Sequence, residues 1–414
     1  MLSDTRPAMT PLVVVLTITL LLGLQPVTTD LYLPALPTLQ RELGATASTA
    51  QMTLSVLIIC FGLAQLVCGP LSDRFGRRPV LLGGMALYCV ASVMGALAHE
   101  IGTLIAWRGV QGAAMAAAVT CGRSMVRDLF QPHEGARVMS RALGGLGVIA
   151  LLSPMIGGLL LQWLSWHSAL LATALFGAAT LGFIALRFEE TLRQRDPHAT
   201  RLVPLLRNWH EVLRHPSFRA WSALLCCTYG GLFTLLATSS FVFIDTLGLS
   251  RLACGGVLAL SSLAYVLGTV LCRRLLLRHG LRGAVKRGAA LSLAGGLGMA
   301  GLSLAGLHSV WAIVPPMLLF SLGHGVHQPC GQAGAVGPFP EKAGTAASVS
   351  GFLMMLTAFC AGMVLGRSIN GSVYPLTLGV GLFSVVLATV AWTLVQRHGE
   401  PAARAGAGAA VGRV

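Results

Sequence analysis

Long stretches of the chain run almost without charge, and they recur at a nearly constant length. Twelve apolar segments lie at about residues 11–37, 49–70, 79–97, 101–124, 140–163, 167–187, 219–245, 252–272, 287–306, 309–331, 342–366 and 373–396. Short groups of charged, glycine and proline residues separate them. About 20 apolar residues, rising 1.5 Å each, cross the hydrocarbon core of a bilayer. The segments are continuous and do not alternate, so each predicts a helix. Inside lipid only helices and closed barrels satisfy every backbone polar group. The first run, Pro11 to Ala35, exceeds the ~7–15 residues of a signal-peptide core and is followed by many like it, so it reads as an uncleaved first helix. The fold class expected is an all-α integral membrane protein with twelve transmembrane helices.

The longest polar interruption runs from Phe188 to Ser217 and carries Glu189, Glu190, Arg193, Arg195, Asp196, Arg201, Arg207, Glu211 and Arg214. It divides the chain into an N-terminal six-helix bundle (1–187), a cytoplasmic central loop (188–218), a C-terminal six-helix bundle (219–396) and a cytoplasmic tail (397–414). Paired bundles around a midplane site are a transporter architecture.

Composition agrees with a lipid-facing surface. Charged residues make up 10% of 414 and hydrophobic ones 55%, whereas a soluble domain carries roughly 25% charge to face water. The net charge of +15 does not point to nucleic acid, because the basic residues sit in small clusters between apolar runs. Loops on one side carry Arg41, Arg251 and Arg367; loops on the other carry Arg74, Arg77, Arg78, Arg127, Arg137, Arg141, Arg273, Arg274, Arg278, Arg282, Lys286 and Arg287. The positive-inside rule then puts the basic loops and both termini in the cytoplasm. Most of the ten cysteines fall within apolar runs and read as small hydrophobes. No nucleophile–base pair, metal-ligand spacing or phosphate loop appears, so neither an enzyme nor a metal site is expected.

Polar residues inside the helices are the candidates for function, since an intramembrane arginine costs ~2.5–3.5 kcal/mol on insertion scales. Asp30 in helix one and Arg108 in helix four lie at similar depths, ~10 Å in at 1.5 Å per residue. They are expected to pair, and protonation of Asp30 would break the pair; a structural ion pair or a snorkelling arginine is the alternative. Gln111 and Met115 share the face of Arg108 at i+3 and i+7. Tyr32, Gln111, Met115, Tyr229, Tyr265 and His327 are the expected cavity residues, as polar or aromatic groups in apolar helices. His324 and His327 share a helical face, but Pro329 interrupts the pattern before Cys330 and no carboxylate is near, so metal is not expected there.

Two further stretches carry motifs. After helix two the chain reads Gly69-Pro70-Leu71-Ser72-Asp73-Arg74-Phe75-Gly76-Arg77-Arg78-Pro79. Gly69-Pro70 is expected to end a helix, Gly76 to make a tight turn and Pro79 to start helix three. Asp73 either pairs with the arginines or meets a helix N-terminus. Helix five runs from Gly144, Gly145 and Gly147 to Ser153-Pro154-Met155-Ile156-Gly157-Gly158, small residues that let helices approach closely.

The loop after helix two resembles the G-x-x-x-D-R-x-G-R-R signature of the major facilitator superfamily, with every position present. The segment from Gly268 to Arg287 is similar to a second copy lacking the acid. The resemblance implies a cytoplasmic gate of Gly69, Asp73, Arg74, Gly76, Arg77 and Arg78. In it Asp73 would face the start of helix eleven near Pro340-Glu341, and Arg77 would add ion pairs. Arg108 to Gly112 matches R-x-x-Q-G of proton-coupled members. Thr29 to Pro37 resembles the Bcr/CflA-type drug exporters and the related amphenicol exporters, and Gly337 to Ser348 also resembles the Bcr/CflA pattern. Gly147, Pro154, Gly157 and Gly158 resemble the antiporter signature, with Ser153 in place of its glycine. His324 and His327 depart from the Bcr/CflA pattern. The resemblance implies a monomeric proton-coupled exporter of drugs or small metabolites. Its partners are a small-molecule substrate, protons and the lipid bilayer, and it needs no cofactor beyond the proton gradient. An importer of a small nutrient, or a membrane sensor or scaffold, are the other readings.

Overall fold

A helix in lipid must satisfy its own backbone, and that requirement shapes the whole chain. The computed structural model, described over residues 9–130, 132–192 and 194–399, is helical, with no strand among the described residues. Arg193 and the tail from Pro401 lie outside the described residues.

The first half contains α1 (Pro11–Thr29), α2 (Leu36–Glu42), α3 (Ala47–Phe75), α4 (Arg77–Ala96), α5 (Ile101–Leu129), α6 (Pro132–Trp163) and α7 (Trp166–Arg187). A connecting helix α8 (Leu202–Arg214) follows. The second half contains α9 (Pro216–Ser240), α10 (Arg251–Leu304), α11 (Val310–Val336), α12 (Ala343–Ser368), α13 (Tyr374–Trp392) and the short α14 (Leu394–His398). Among the described residues, ten helical stretches are long and apolar enough to cross a membrane by length and composition alone. Two local facts reconcile this with the twelve segments of the sequence. The 54-residue α10 holds two spans joined at Gly280, whose φ of +64 breaks the helical path. The other is α5, with 29 residues, whose Arg108, Gln111 and Arg123 lower its hydropathy.

Several expected boundaries move. Helix two continues through Gly69-Pro70 to Phe75 and stops only at Gly76, where φ is +105. Pro70 removes only the N–H that would reach the Leu66 carbonyl, a loss a transmembrane helix tolerates. Pro329 likewise lies within α11 and does not break it. Helix one, in contrast, ends at Thr29 and resumes only after a turn and a 3₁₀ segment at Leu33–Ala35. Proline at positions 34 and 37 cannot donate in a continuous α pattern.

The central segment is not all loop. In α8, Leu202, Val203 and Leu206 are exposed on a helix that also carries Arg207 and Arg214. Lys342, just before α12, donates to Glu211 of α8 at 2.5 Å. That bond and the ammonium charge hold the Glu211 carboxyl below the usual carboxylate range.

Packing repeats between the halves. In the first, α1 lies against α5, α6 and α7; in the second, α9 lies against α11, α12 and α13. The α3–α5 contact is echoed by α10–α11, and α4–α7 by α10–α13. The two halves meet through α3 on α12 and α6 on α10.

Candidate functional site

Arg108 is 1% exposed and sits inside the first half. Its Nη1 donates to Gln111 Oε1 at 2.7 Å and its Nη2 to the Thr28 carbonyl at 3.1 Å. Its guanidinium carbon lies 4.3 Å from the centre of the Tyr32 ring. The last turn of α1 leaves carbonyls without intrahelical donors, and Arg108 takes one of them. The face of the Tyr32 ring adds a cation–π contact. Gln111 passes the network on to Ser92 Oγ at 2.6 Å, and Thr28 meets Tyr88 at 2.6 Å. One cation thereby ties α1, α4 and α5 together.

The expected Asp30–Arg108 pair does not form. Asp30 accepts from the Thr29 hydroxyl at 2.7 Å and has no ion pair with Arg108. The cause is the early end of α1: Asp30 is its C-cap residue, off the helical face assumed from the sequence. The half-buried Asp30 instead lies within electrostatic reach of the Tyr229 phenol of α9. Gln25 of α1 donates to that phenol at 3.4 Å, joining the two halves.

Of the six expected cavity residues, Tyr229 lines a cleft between the halves. Tyr32, Gln111, Met115 and His327 are buried within their own halves. Tyr265 packs its ring 5.3 Å from that of His324, and His324 Nδ1 lies 2.8 Å from Thr228 Oγ1. Among the described residues no group of three or more potential ligands could hold a metal ion. The cleft, of about 50 Å³, is lined by Gln25, Gln65, Arg123, Tyr229, Gln328 and Gln332, with Phe61, Met354 and Met355 as its apolar wall. Five of those six polar residues were passed over in the sequence. Each is an isolated polar side chain, and only the meeting of α1, α3, α5, α9 and α11 makes them neighbours.

The cleft lies toward the basic loops. At the opposite end the halves are bonded together. Ser240 Oγ donates to the Leu33 carbonyl at 2.7 Å, and Arg251 Nη1 to the Leu161 carbonyl at 2.7 Å. A second hollow of about 240 Å³ at that end is lined by Gln40, Thr238, Asp245 and Asn370 among others.

The loop between α3 and α4 is organised around Arg77, which is 3% exposed. Its Nη1 pairs with Asp73 at 2.7 Å, its Nε with Asp128 of α5 at 3.0 Å, and Nη1 also donates to Ser72 Oγ at 2.5 Å. Asp73 thus faces Arg77 and not the start of α12, and its carbonyl accepts from the Asp196 amide at 3.0 Å. The acid at the N-terminus of α4 is Glu190, which accepts from the amides of Arg77 and Arg78 at 2.9 and 3.1 Å. That placement suits the helix dipole. Arg74 donates to Thr200 at 2.6 Å and Arg78 to the Ala185 carbonyl at 3.1 Å, while Gly69 stays inside α3. Asp128 and Glu190 carried no local signal, because nothing in their own neighbourhoods marks them as partners of Arg77.

The glycines of α6 sit on the seam. A Cβ on Gly157 would overlap the Leu31 carbonyl of the break after α1, and one on Gly158 the Arg251 carbonyl of α10. Gly147 faces Val266, and Gly255 of α10 rests on the Pro154 carbonyl. Gly158→Val is therefore expected to cost about 1–3 kcal/mol in a detergent unfolding assay, the usual scale of overpacking. Gly256→Val, with open space around its Cβ position, should be silent; equal stability of the two variants would contradict this account of the seam.

Two repeated helical halves facing each other across a polar cleft define a membrane transporter, not an enzyme. The family model for the Major Facilitator Superfamily matches residues 18–362, and the chain belongs to that superfamily. It is 30% identical over 370 residues to a chloramphenicol resistance protein of Pseudomonas aeruginosa, covering 88% of this chain and 82% of that one. It is 28% identical over 391 residues to multidrug resistance protein D of Escherichia coli, covering 93% and 97%. A bicyclomycin resistance protein homolog of Haemophilus influenzae is 23% identical over 384 residues, covering 93% and 96%. The likeness to Bcr/CflA-type proteins read from Thr29–Pro37 therefore holds. Among solved structures, a D-xylose–proton symporter shares the fold with a TM-score of 0.75 at 15% identity, over 94% of this chain and 99% of that one. The human organic anion transporter TETRAN shares it with a TM-score of 0.72 at 23% identity, over 94% and 100%.

Proposed function

We propose that this chain exports drugs or small metabolites from a bacterial cytoplasm by alternating access, driven by protons entering through Asp30. It is a multi-pass protein of the inner membrane, with its basic loops and both termini in the cytoplasm, as the positive-inside rule requires. Residues 1–187 and 219–396 are the two moving bundles, and 188–218 links them. The observation that carries this reading is the position of Asp30. It is a carboxyl at the break of α1, beside the Gln25–Tyr229 bond that crosses between the halves.

Two parts divide the work. Arg108 is held by neutral partners, so its charge is a fixed feature of the first half and does not depend on Asp30. Asp30 gains and loses a proton where the other half is in reach, so each change of its charge alters what Tyr229 faces. The long Gln25–Tyr229 bond, at 3.4 Å, is weak enough to exchange. The bonds at the far end, Ser240 to Leu33 and Arg251 to Leu161, are those that open when the cleft turns outward. A two-state element biased by a proton on one side and by substrate on the other is what coupling requires. Export is favoured by the names of the relatives, which are resistance proteins, and by the glycine–proline seam of α6. The proton gradient is the energy source; no resident cofactor is required.

Everted vesicles energised by a pH gradient, and offered a panel including chloramphenicol, test this. Wild-type protein should accumulate at least one compound and release lumenal protons as it does so. Asp30→Asn should lower that proton-driven transport by roughly a hundredfold, the scale of losing a positioned proton-transfer group. Asp245→Asn, in the hollow at the far end, should leave it within about twofold, as expected of a position away from the functional machinery. Proton-driven transport that survives Asp30→Asn would remove Asp30 as the carrier, and proton-driven loss of substrate from the vesicles would reverse the direction.

A further inference from the structure

The inter-half cleft contains a cation without a partner. Arg123 lies on α5, six residues before its end, and its side chain lines the cleft. Among the described residues it makes no ion pair and no hydrogen bond, unlike the other charged side chains of α5. Arg108 bonds Gln111 and Thr28, Arg127 donates to Ser124 at 3.1 Å, and Asp128 pairs with Arg77. No carboxylate lines the cleft. A half-buried guanidinium with five N–H donors and no acceptor is costly to keep. Arg127, one turn further on, adds like-charge repulsion.

A second unsatisfied group stands nearby. Gln328 Oε1 is buried and receives no hydrogen bond, although Gln328 lines the same cleft. Gln332 lies one turn along on the same face of α11. The opposite wall is apolar, formed by Phe61, Met354 and Met355. The cleft therefore presents a fork for an anion, an acceptor waiting for a donor, and a greasy surface between helices of both halves.

We infer that Arg123 selects transported molecules that carry a negatively charged oxyanion group. The complementary ligand is a small aromatic or aliphatic acid, with its carboxylate, sulfonate or phosphonate on the Arg123 guanidinium. Its N–H or O–H group bonds Gln328 Oε1, and its apolar body lies on Phe61 and the two methionines. Because α5 belongs to one half and α11 to the other, such a ligand bridges the halves at the end where the cleft lies. This inference takes the cleft as the substrate site and rests on the exporter reading proposed above.

Sulfanilate and sulfanilamide test it as a matched pair: both carry the same ring and amine donor, and they differ in charge. Binding of each to purified full-length protein in detergent is measured by quenching of tryptophan fluorescence, so no proton gradient enters the measurement. Wild-type protein should favour sulfanilate. Arg123→Gln should weaken sulfanilate binding roughly thirtyfold or more, the scale of removing one partner of a buried charge pair, and leave sulfanilamide unchanged. Arg123→Lys should restore part of the affinity, since an ammonium keeps the charge but not the fork. Gln328→Leu should weaken both ligands, through loss of the acceptor for the amine. Thermal unfolding of each variant separates a lost site from a lost fold.

Equal sulfanilate affinity in wild type and Arg123→Gln overturns the inference, and so does a wild-type preference for sulfanilamide. The titration is repeated in nanodiscs of phosphatidylcholine and of phosphatidylglycerol. Sulfanilate binding that persists in both assigns the guanidinium to the transported molecule; binding abolished by phosphatidylglycerol assigns it to a lipid headgroup and overturns the proposal. A protein that binds sulfanilate through Arg123 and carries it inward, not outward, would sink the exporter reading and leave this one standing.

Discussion

Gly112→Val is expected to leave almost no folded protein in the membrane. A Cβ at position 112 would overlap the carbonyl oxygen of Leu57 and crowd its carbonyl carbon and Cα. All three are backbone atoms of α3, so no side-chain rotation relieves the overlap, and α3 must separate from α5. In lipid there is little hydrophobic force to compensate, because helix association depends on close packing of small residues. The same separation would pull at the Arg108–Gln111 network one turn away. The cost is expected to exceed about 3 kcal/mol, at the upper end for overpacking and in the range that unfolds marginal proteins. Gly83→Val, in α4 with open space at its Cβ position, is the control and should melt with the wild type. Fluorescence-detected gel filtration and thermal unfolding in detergent read both; a Gly112→Val protein as stable as the wild type would show that α3 and α5 do not pack as described.

Arg77→Ala should have the next largest effect. The guanidinium is buried and holds Asp73, Asp128 and Ser72 at once, while the Arg77 amide is capped by Glu190. Removing it leaves two carboxylates facing each other with no cation between them, and Asp128 retains only the Thr191 hydroxyl, at 3.2 Å. The Asp73 side chain is 44% exposed and loses little, but the pair with Asp128 is largely buried, and breaking it costs up to about 3–5 kcal/mol. Arg78→Ala, by contrast, removes an exposed side chain with a single bond to a carbonyl, and should change stability by less than about 0.5 kcal/mol. Transport by Arg77→Ala should fall with stability, since the network ties α3, α4 and α5 to the chain that leads into the second half. Equal melting temperatures for the two alanine variants would mean that the Arg77 network contributes nothing. Asp73→Asn is the finer probe: it retains a hydrogen-bonding group beside Arg77 and should destabilise less than Arg77→Ala.

The loop network also shows how a motif can be legible while its contacts are not. The spacing of Asp73, Gly76 and Arg77 marked the stretch as more than a plain basic loop. The partner expected for Asp73, on the approach to α12, was misplaced; the acid turns back onto Arg77, and Glu190 caps the helix in its stead. Both outcomes follow from geometry that no local pattern encodes, because Glu190 lies more than a hundred residues along the chain from the amides it caps. Asp30 and Arg108 teach a similar lesson. Equal depth in two helices made a pair plausible, but depth says nothing about azimuth. The break after Thr29 turned Asp30 away from Arg108 and brought it within reach of Tyr229.

What the sequence determined by itself is the part governed by the solvent. A bilayer rejects charge and unpaired backbone, so apolar runs of about 20 residues must be helices. The apolar runs and the membrane-protein class could be read from the chain. The tertiary structure decided everything that depends on which faces meet. It replaced the Asp30–Arg108 pair with a caged Arg108, moved five candidates out of the cleft, and gathered Gln25, Gln65, Arg123, Gln328 and Gln332 from four helices into it. Hydropathy acts along one helix at a time, whereas a site between two halves exists only where helices far apart in sequence come together.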